Sequence, residues 1–418
     1  MLPLIGPVIG PVIGPVIGID FGTTNSVVTA RRADGSVTVL RRATEDVFRS
    51  ILCFWRDGQG RVRHAGGPDA IAAYLDDPLD ARLILSMKSY LAQRSFQETR
   101  ILGRGFGLEA LIGLFLRELL APFAAELAGA RVIAGRPVRF VGEAADDALG
   151  ERRLIAGFAA AGLADVTLAL EPAAAGHRFA AGLRTAATVL VADFGGGTSD
   201  FSLLRFEGGG VTPLGHAGIG VAGDAFDFRI IDNVVSPLLG KGGTYRVMGT
   251  DLPIPPGWYS SFARWHLLSM MRAPRTLRDI ADVARNAAEP ERLRHLTQLI
   301  EDEVGYELYR AISGVKAALS GAEEARLQFR HADFAMDARI TRADFEAWIT
   351  PELRQIAVAV DAALANARLE AGQVDRVFLT GGSSLVPAVR RIFEARFGEA
   401  RVVAGGEFVS VAEGLALM

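Results

Sequence analysis

The stretch Ile19-Asp20-Phe21-Gly22-Thr23-Thr24-Asn25-Ser26 reads as an apolar strand that delivers an aspartate, makes a Gly-rich turn and returns through Thr into a second strand. The same grammar recurs in Ala192-Asp193-Phe194-Gly195-Gly196-Gly197-Thr198-Ser199-Asp200. Glycine lets backbone N–H groups approach an anion closely, and Thr hydroxyls add further donors. Two aspartates facing the same phosphates call for a hard divalent cation between them, Mg²⁺ holding its waters. Two such hairpins, with Asp193 standing 173 positions after Asp20, read as duplicated half-domains closing on one nucleotide.

Working outward, strands and helices alternate as in an α/β protein. Val16–Phe21, Ser26–Arg31 and Val37–Arg41 read as a strand meander, with turn signals at Gly22-Thr23 and Asp34-Gly35. An apolar stripe of helical period covers 107–128. A strand is expected over Arg131–Val141, a helix over Ala144–Gly162, a strand over Val166–Leu170 ending in Glu171-Pro172, and a helix over Ala173–Ala181. The meander then begins again with Thr188–Phe194, Phe201–Phe206 and Val211–Gly215. A helical insertion is expected over about 225–325, and Arg342–Glu370, Val374–Leu379 and Leu385–Phe397 read as helix, strand and helix. The domain reading is a leader over 1–15, a first lobe over 16–186, a second lobe over 187–385 and a C-terminal return to the first lobe over 386–418.

A third Gly-rich turn, Thr380-Gly381-Gly382-Ser383-Ser384, runs from a strand into a helix expected near Pro387, which aims backbone N–H groups at an anion or a base edge. Gly218-Ile219-Gly220-Val221-Ala222-Gly223 satisfies the dinucleotide pattern GxGxxG. No repeating βαβ unit surrounds it, so it reads as another close-approach turn, with Asp224 or Asp227 capping the next helix. No Walker A sequence is present. Arginine has almost replaced lysine, leaving Lys88, Lys241 and Lys316. A compact ammonium beside a γ-phosphate is one role that arginine fills poorly, and random retention is the plain alternative. Glu171 ends a strand before Pro172, where a carboxylate either points into a cleft or serves as a helix N-terminal charge.

The 418 residues suffice for a large core, half of them are hydrophobic, and the net charge of −3 gives no basic excess for nucleic acid or an anionic membrane. The single cysteine, Cys53, excludes disulfide frameworks and reads as a buried small hydrophobe. The six histidines show no zinc spacing. The first 18 residues repeat Pro-Val-Ile-Gly at 7–10, 11–14 and 15–18. Proline every fourth residue forbids a continuous helix, and no export-signal features accompany the repeat, so an unstructured leader and a cytoplasmic location are expected. Trp258, Tyr259 and Trp265 read either as a partner contact or as the core of the insertion.

Together, the two phosphate hairpins, the Glu171-Pro172 connector and the terminal Gly381-Gly382-Ser383 turn resemble the actin/hexokinase/heat-shock ATPase fold. The first hairpin is very close to the N-terminal signature of the 70-kDa heat-shock chaperones (DnaK-like), and the second matches their second signature. Ser86-Met87-Lys88, Val315-Lys316-Ala317-Ala318-Leu319-Ser320 and Val409–Ala416 are further matches, and the Pro-rich insertion at 251–265 is similar to short, stand-alone YegD-type members. The resemblance implies ATP or ADP with Mg²⁺ as the ligands. It implies that Asp20 and Asp193 hold the hydrated Mg²⁺ and that Gly22, Thr23, Thr24, Asn25, Gly195, Gly196, Gly197 and Thr198 cradle the phosphates. Lys88, Glu171 and Thr198 would be catalytic, Lys88 reaching the γ-phosphate and Glu171 the attacking water, and Lys316, Ser320, Gly381, Gly382 and Ser383 would contact the nucleoside. Two positions depart from the family pattern. Ser313 stands where an acidic residue is usual, and Leu385 where an arginine usually packs on adenine. With the sequence running out at Met418, the resemblance implies a chaperone-type ATPase without the peptide-binding domain, hydrolysing slowly and read by a partner or co-chaperone at 240–300. The rival readings are a nucleotide-gated adaptor with little turnover, a small-molecule kinase of the same fold, and a cytoskeletal polymer.

Overall fold

The computed structural model describes residues 15–418 except 43–44, 78–79, 141–144, 181–184, 209, 265–267, 269–270, 303 and 405–408. Two Pro-Val-Ile-Gly copies, Trp265 and His266 therefore lie outside the described residues. In the first half, β1 (Val16–Phe21), β2 (Asn25–Arg31) and β3 (Val37–Val39) form the expected meander, and the short β4 (Phe48–Arg49) pairs with the start of β2. A small sheet follows, built from β5 (Leu52–Arg56), β6 (Val62–Gly66) and β7 (Arg82–Ile84), and then the hairpin β8 (Thr99–Ile101) and β9 (Arg104–Phe106). The main sheet is completed by β10 (Arg131–Arg136) and β11 (Val166–Leu170), giving the order β11-β10-β1-β2-β3. β10 stops earlier than expected because Pro137 follows Arg136 and cannot donate to a ladder.

The second half repeats this plan. β12 (Ala187–Phe194), β13 (Ser199–Glu207) and β14 (Gly210–Ile219) form an antiparallel meander, followed much later by β19 (Arg376–Thr380) and β20 (Val402–Ala404). The sheet order is β14-β13-β12-β19-β20, which is the first sheet's order strand for strand. In each half the first strand pairs antiparallel with the second and parallel with the fourth. This duplicated α/β plan is the actin/hexokinase/heat-shock ATPase fold expected from the two hairpins.

Between β14 and β19 the chain is helical, as expected, over Gly223–Ile230, Pro256–Phe262, Pro274–Ala284, Pro290–Glu301 and Gly305–Gly321. It also carries two hairpins that the sequence reading lacks: β15 (Thr244–Val247) with β16 (Thr250–Pro253), and β17 (Glu324–His331) with β18 (Phe334–Thr341). Tyr259 is fully buried and donates its hydroxyl to Leu239 O at 3.0 Å, while Trp258 is half-buried against the same core. Both belong to the interior of the insertion. Cys53 is fully buried on β5.

The two sheets are joined by helices Glu171–Ala180 and Ser410–Leu417. Val411 and Leu415 pack with Ala174 and Ala175, between Val16 and Ile133 on one side and Val189 and Val191 on the other. Thr29 Oγ1 donates to Ala412 O at 2.6 Å, tying β2 to the last helix. The fit is close at Gly414, where a Cβ would stand 1.7 Å from Ala174 O. Backbone on both sides leaves nothing to move aside, so overpacking applies in full. Gly414→Ala is expected to destabilise the protein by about 1–3 kcal/mol, read as a lowered urea-unfolding midpoint, and an unchanged midpoint would show that the two helices are not in this contact.

Candidate functional site

Each hairpin turn sits where an apolar strand must reverse. The turn after β1 spans Gly22–Thr24, and the turn after β12 spans Gly195–Thr198, closed by Gly195 N–H donating to Thr198 O at 2.9 Å. Glycine is required at these points by close approach. A Cβ on Gly22 would lie 2.1 Å from Asn25 O, and one on Gly196 would lie 2.2 Å from Thr24 Oγ1. The second contact means that the two turns, one from each half, touch. The third turn joins them from behind: Gly381 has φ +83°, and a Cβ there would lie 2.1 Å from Phe194 O. The helix that follows it begins at Pro387, as expected.

These turns rim one cleft of about 540 Å³. It brings together Asp20, Gly22, Thr23, Thr24 and Asn25 from the first hairpin, Asp193, Gly195, Gly196 and Thr198 from the second, and Lys88 and Glu171. Lys316, Ser320, Gly381, Gly382 and Ser383 line it as well. Among the residues expected at the site, Gly197 alone does not line the cleft, although it belongs to the same turn.

At the centre, Lys88 Nζ lies 2.6 Å from Glu171 Oε1, and both residues are 7 % exposed. Lys88 is held by the short helical turn Met87–Tyr90, entered through Ser86 with φ +51°. Helix Glu171–Ala180 starts at Glu171 rather than Ala173, because Pro172 suits the first turn and needs no N–H partner there. Asp20 and Asp193 stand one residue before the ends of β1 and β12, and Asp200 faces Asp193 across the β12–β13 ladder. Burial, reinforced by the Glu171 charge, pushes Asp20 up to about 8 and Asp193 and Asp200 up to about 7. Burial works against the Lys88 ammonium, but Glu171, Asp20 and Asp193 outweigh it and hold the group above its ordinary value.

Two buried carboxylates, Glu171 and Asp200, and two half-buried ones, Asp20 and Asp193, crowd one ammonium, a donor set whose ionised form a divalent cation would stabilise. Among the described residues no three such side chains converge on a single point as direct ligands, so this donor set suits an ion that keeps its water shell.

On the second half's wall, Lys316 Nζ donates to Asp227 Oδ2 at 2.9 Å and to Gly223 O at 3.1 Å. Ser313 Oγ reaches the same carboxylate oxygen at 3.3 Å, while Asp227 Oδ1 is buried without a partner. Neither Asp224 nor Asp227 caps helix Gly223–Ile230. Its cap residue is Ala222, Asp224 lies in the first turn, and Asp227 is turned toward Lys316. Leu385 lines the cleft and is exposed. All three lysines are ion-paired, Lys241 with Asp232 at 2.7 Å and not among the residues lining the cleft, the other two inside it.

Arg49, Arg139, Asp200, Asp224, Asp227 and Arg310 also line the cleft and were not picked out as site residues from the sequence. Asp200 and Asp227 carried a signal, since each sits in or next to a Gly-rich motif. The arginines carried none.

A family profile described as Hsp70 protein matches residues 293–417. Over 389 residues the chain is 26 % identical to the chaperone protein DnaK of Thermotoga neapolitana, covering 91 % of this chain and 55 % of that protein. It is 27 % identical over 397 residues to a chaperone protein HscA homolog of Bordetella petrii, covering 91 % and 54 %. Against the chaperone protein DnaK of Deinococcus deserti the identity is 25 % over 407 residues, covering 91 % and 55 %. The chain thus spans about half the length of the curated relatives it matches. Among the described residues, no helix is long and apolar enough to cross a membrane.

Proposed function

The chain belongs to the Hsp70 family as a DnaK-like member, and from that premise we propose that it binds Mg-ATP between its two halves and hydrolyses it slowly. The observation that carries the reading is the Lys88–Glu171 pair, set among Asp20, Asp193 and Asp200 where the two hairpin turns meet.

In this reading Thr23, Thr24, Gly195 and Gly196 hold the phosphates through backbone N–H groups and hydroxyls, with Gly22, Asn25 and Gly197 shaping the turns. Asp20 and Asp193 hold the hydrated Mg²⁺, which when bound neutralises charge on the phosphate oxygens. Lys88 is drawn off Glu171 toward the γ-phosphate, where its ammonium stabilises charge on the transferring group. Glu171, released from Lys88, orients the attacking water and takes its proton. Thr198 bonds to Asp200 and so presents its hydroxyl beside the same phosphate. Lys316, Ser320, Gly381, Gly382 and Ser383 contact the nucleoside. Asp227 stands close to the acidic position that Ser313 vacates, and its unpartnered Oδ1 offers an acceptor there. A partner would read the closure of the halves through 240–300, where the tip of the β15–β16 hairpin exposes Val247, Met248 and Leu252.

Calorimetry with ATP, ADP and GTP, with and without Mg²⁺, tests this together with phosphate release. The expected result is Mg²⁺-dependent ATP binding with slow release of phosphate. Binding without release would favour a nucleotide-gated adaptor. No binding would overturn the reading.

A further inference from the structure

A second cavity, of about 260 Å³, opens between the two halves beside the nucleotide cleft. The two share a wall made by Thr23, Thr24, Arg49, Asp224, Asp227, Arg310 and Ser313, and beyond it the linings differ. The first half contributes Tyr74, Arg82, Tyr90 and the buried Leu108 and Leu111, and the second half contributes Leu268, Ile300, Tyr306 and Tyr309. Tyr306 also reaches across to pack against the Ile51–Tyr74 cluster of the first half. The body of the cavity is thus apolar and aromatic.

Its lining is rich in arginine, with Arg49 and Arg310 on the shared wall and Arg82 away from it. The guanidinium groups of these three form no hydrogen bond or ion pair with another described residue. Asp227 does not answer them, being engaged by Lys316 and Ser313. Guanidinium groups free to fork onto an anion, above a floor of Leu and Tyr, fit a ligand with a carboxylate, sulfonate or phosphate head and an aromatic body. The volume suits only a small molecule, falling just below the roughly 300–1,000 Å³ of such sites.

The cavity also touches the machinery of the cleft. Ser86 and Met87 line it, while Lys88, the next residue on the same short turn, lines the nucleotide cleft. A molecule seated against Met87 and spanning Arg82 and Tyr306 would bear on both the closure of the halves and the position of Lys88. We propose that this cavity is a second ligand site, taking a small aromatic anion, and that its occupancy is coupled to nucleotide binding. Only the coupling rests on the ATPase reading. Coupling between two sites on one closing element is reciprocal, so each ligand changes the other's affinity by the same factor.

The probe is 8-anilinonaphthalene-1-sulfonate, an aromatic anion whose fluorescence rises in an apolar site, titrated into the folded protein without nucleotide. Saturable one-to-one binding is expected. Arg82→Glu and, separately, Tyr306→Ser should each weaken it about tenfold or more, the scale of one lost charge-assisted or aromatic contact, with circular dichroism unchanged. The uncharged N-phenyl-1-naphthylamine should bind at least about tenfold more weakly, on the same scale. Unchanged affinity in both variants, equal binding of the neutral probe, or many weak sites per chain would each overturn the second site. Repeating the titration with saturating Mg-ATP should shift the affinity without abolishing binding. Competitive loss of the probe would put it in the nucleotide cleft and overturn the site. An unshifted affinity, where calorimetry shows ATP bound, would overturn the coupling. Failure of ATP to bind would count against the ATPase reading and leave the probe and variant results standing.

Discussion

Lys88→Ala is expected to lower the rate of phosphate release from bound Mg-ATP by about 10²–10³-fold, the range for removing one preorganised group that faces developing charge. The substitution deletes the single cation among Glu171, Asp20, Asp193 and Asp200. Nucleotide binding should fall much less, because the hairpin turns and the Lys316–Asp227 wall are untouched. Glu171→Gln should reduce the rate by about 10²-fold or more, as for loss of a general base, while keeping the shape of the site. The two effects should not add, since either change breaks the same pair. Single-turnover phosphate release, with binding followed separately by calorimetry, separates the steps. A Lys88→Ala protein that still releases phosphate within a few-fold of the parent rate would remove Lys88 from the chemistry.

The buried carboxylates predict an unusual pH dependence of stability in the metal-free protein. Asp20 is pushed up to about 8, and Asp193 and Asp200 up to about 7, from an ordinary 3.8. Near neutrality the folded state therefore binds protons that the unfolded chain has already released. Stability from these groups is fully present below pH 3.8 and is lost as pH rises through 7 to 8. The carboxylates held low, Asp57 and Asp146 among them, are already ionised in that window and do not mask the trend. Burial holds His177 and His216 below their ordinary 6.5, so their own titration does not follow the carboxylates through pH 7 to 8. The urea-unfolding midpoint should fall from about pH 6 to about pH 8.5, and saturating Mg-ATP should flatten the slope by supplying positive charge to the well. A flat profile in the metal-free protein would mean that these carboxylates do not share one buried site.

The parts of the fold that were legible in the sequence were those whose chemistry is local. A Gly-rich turn between apolar strands can be read from neighbouring residues, and the two Asp-Gly-Thr hairpins located both sheets and most of the cleft. The β17–β18 hairpin was missed although its pattern is that of a strand, Leu327, Phe329, Phe334, Met336 and Ile340 alternating with polar residues at period two. What it lacked was a Gly or Pro turn signal, since Ala332-Asp333 closes the hairpin soon after the long helix Gly305–Gly321. The start of helix Glu171–Ala180 was misplaced because Glu171 both ends the strand reading and opens the helix. Within the site, Lys88 and Glu171 were found through their motifs. Arg49 and Arg310 reach the same space only through tertiary placement, one from β4 and one from helix Gly305–Gly321, and nothing near them in sequence announces it.

β1 begins at Val16, inside the last Pro-Val-Ile-Gly copy, and its Gly18 lies where a Cβ would come within 2.3 Å of Ala412 O. Residues 11–14 have the same sequence as 15–18. Excising them delivers the same Pro-Val-Ile-Gly-Ile-Asp run into the sheet. Loss or gain of whole repeats therefore leaves the sequence of the strand unchanged. A slip of a single residue within 15–18 would put isoleucine where only glycine clears the last helix. A change in copy number is thus expected to keep Gly18 against Ala412 only when whole repeats of four are lost or gained.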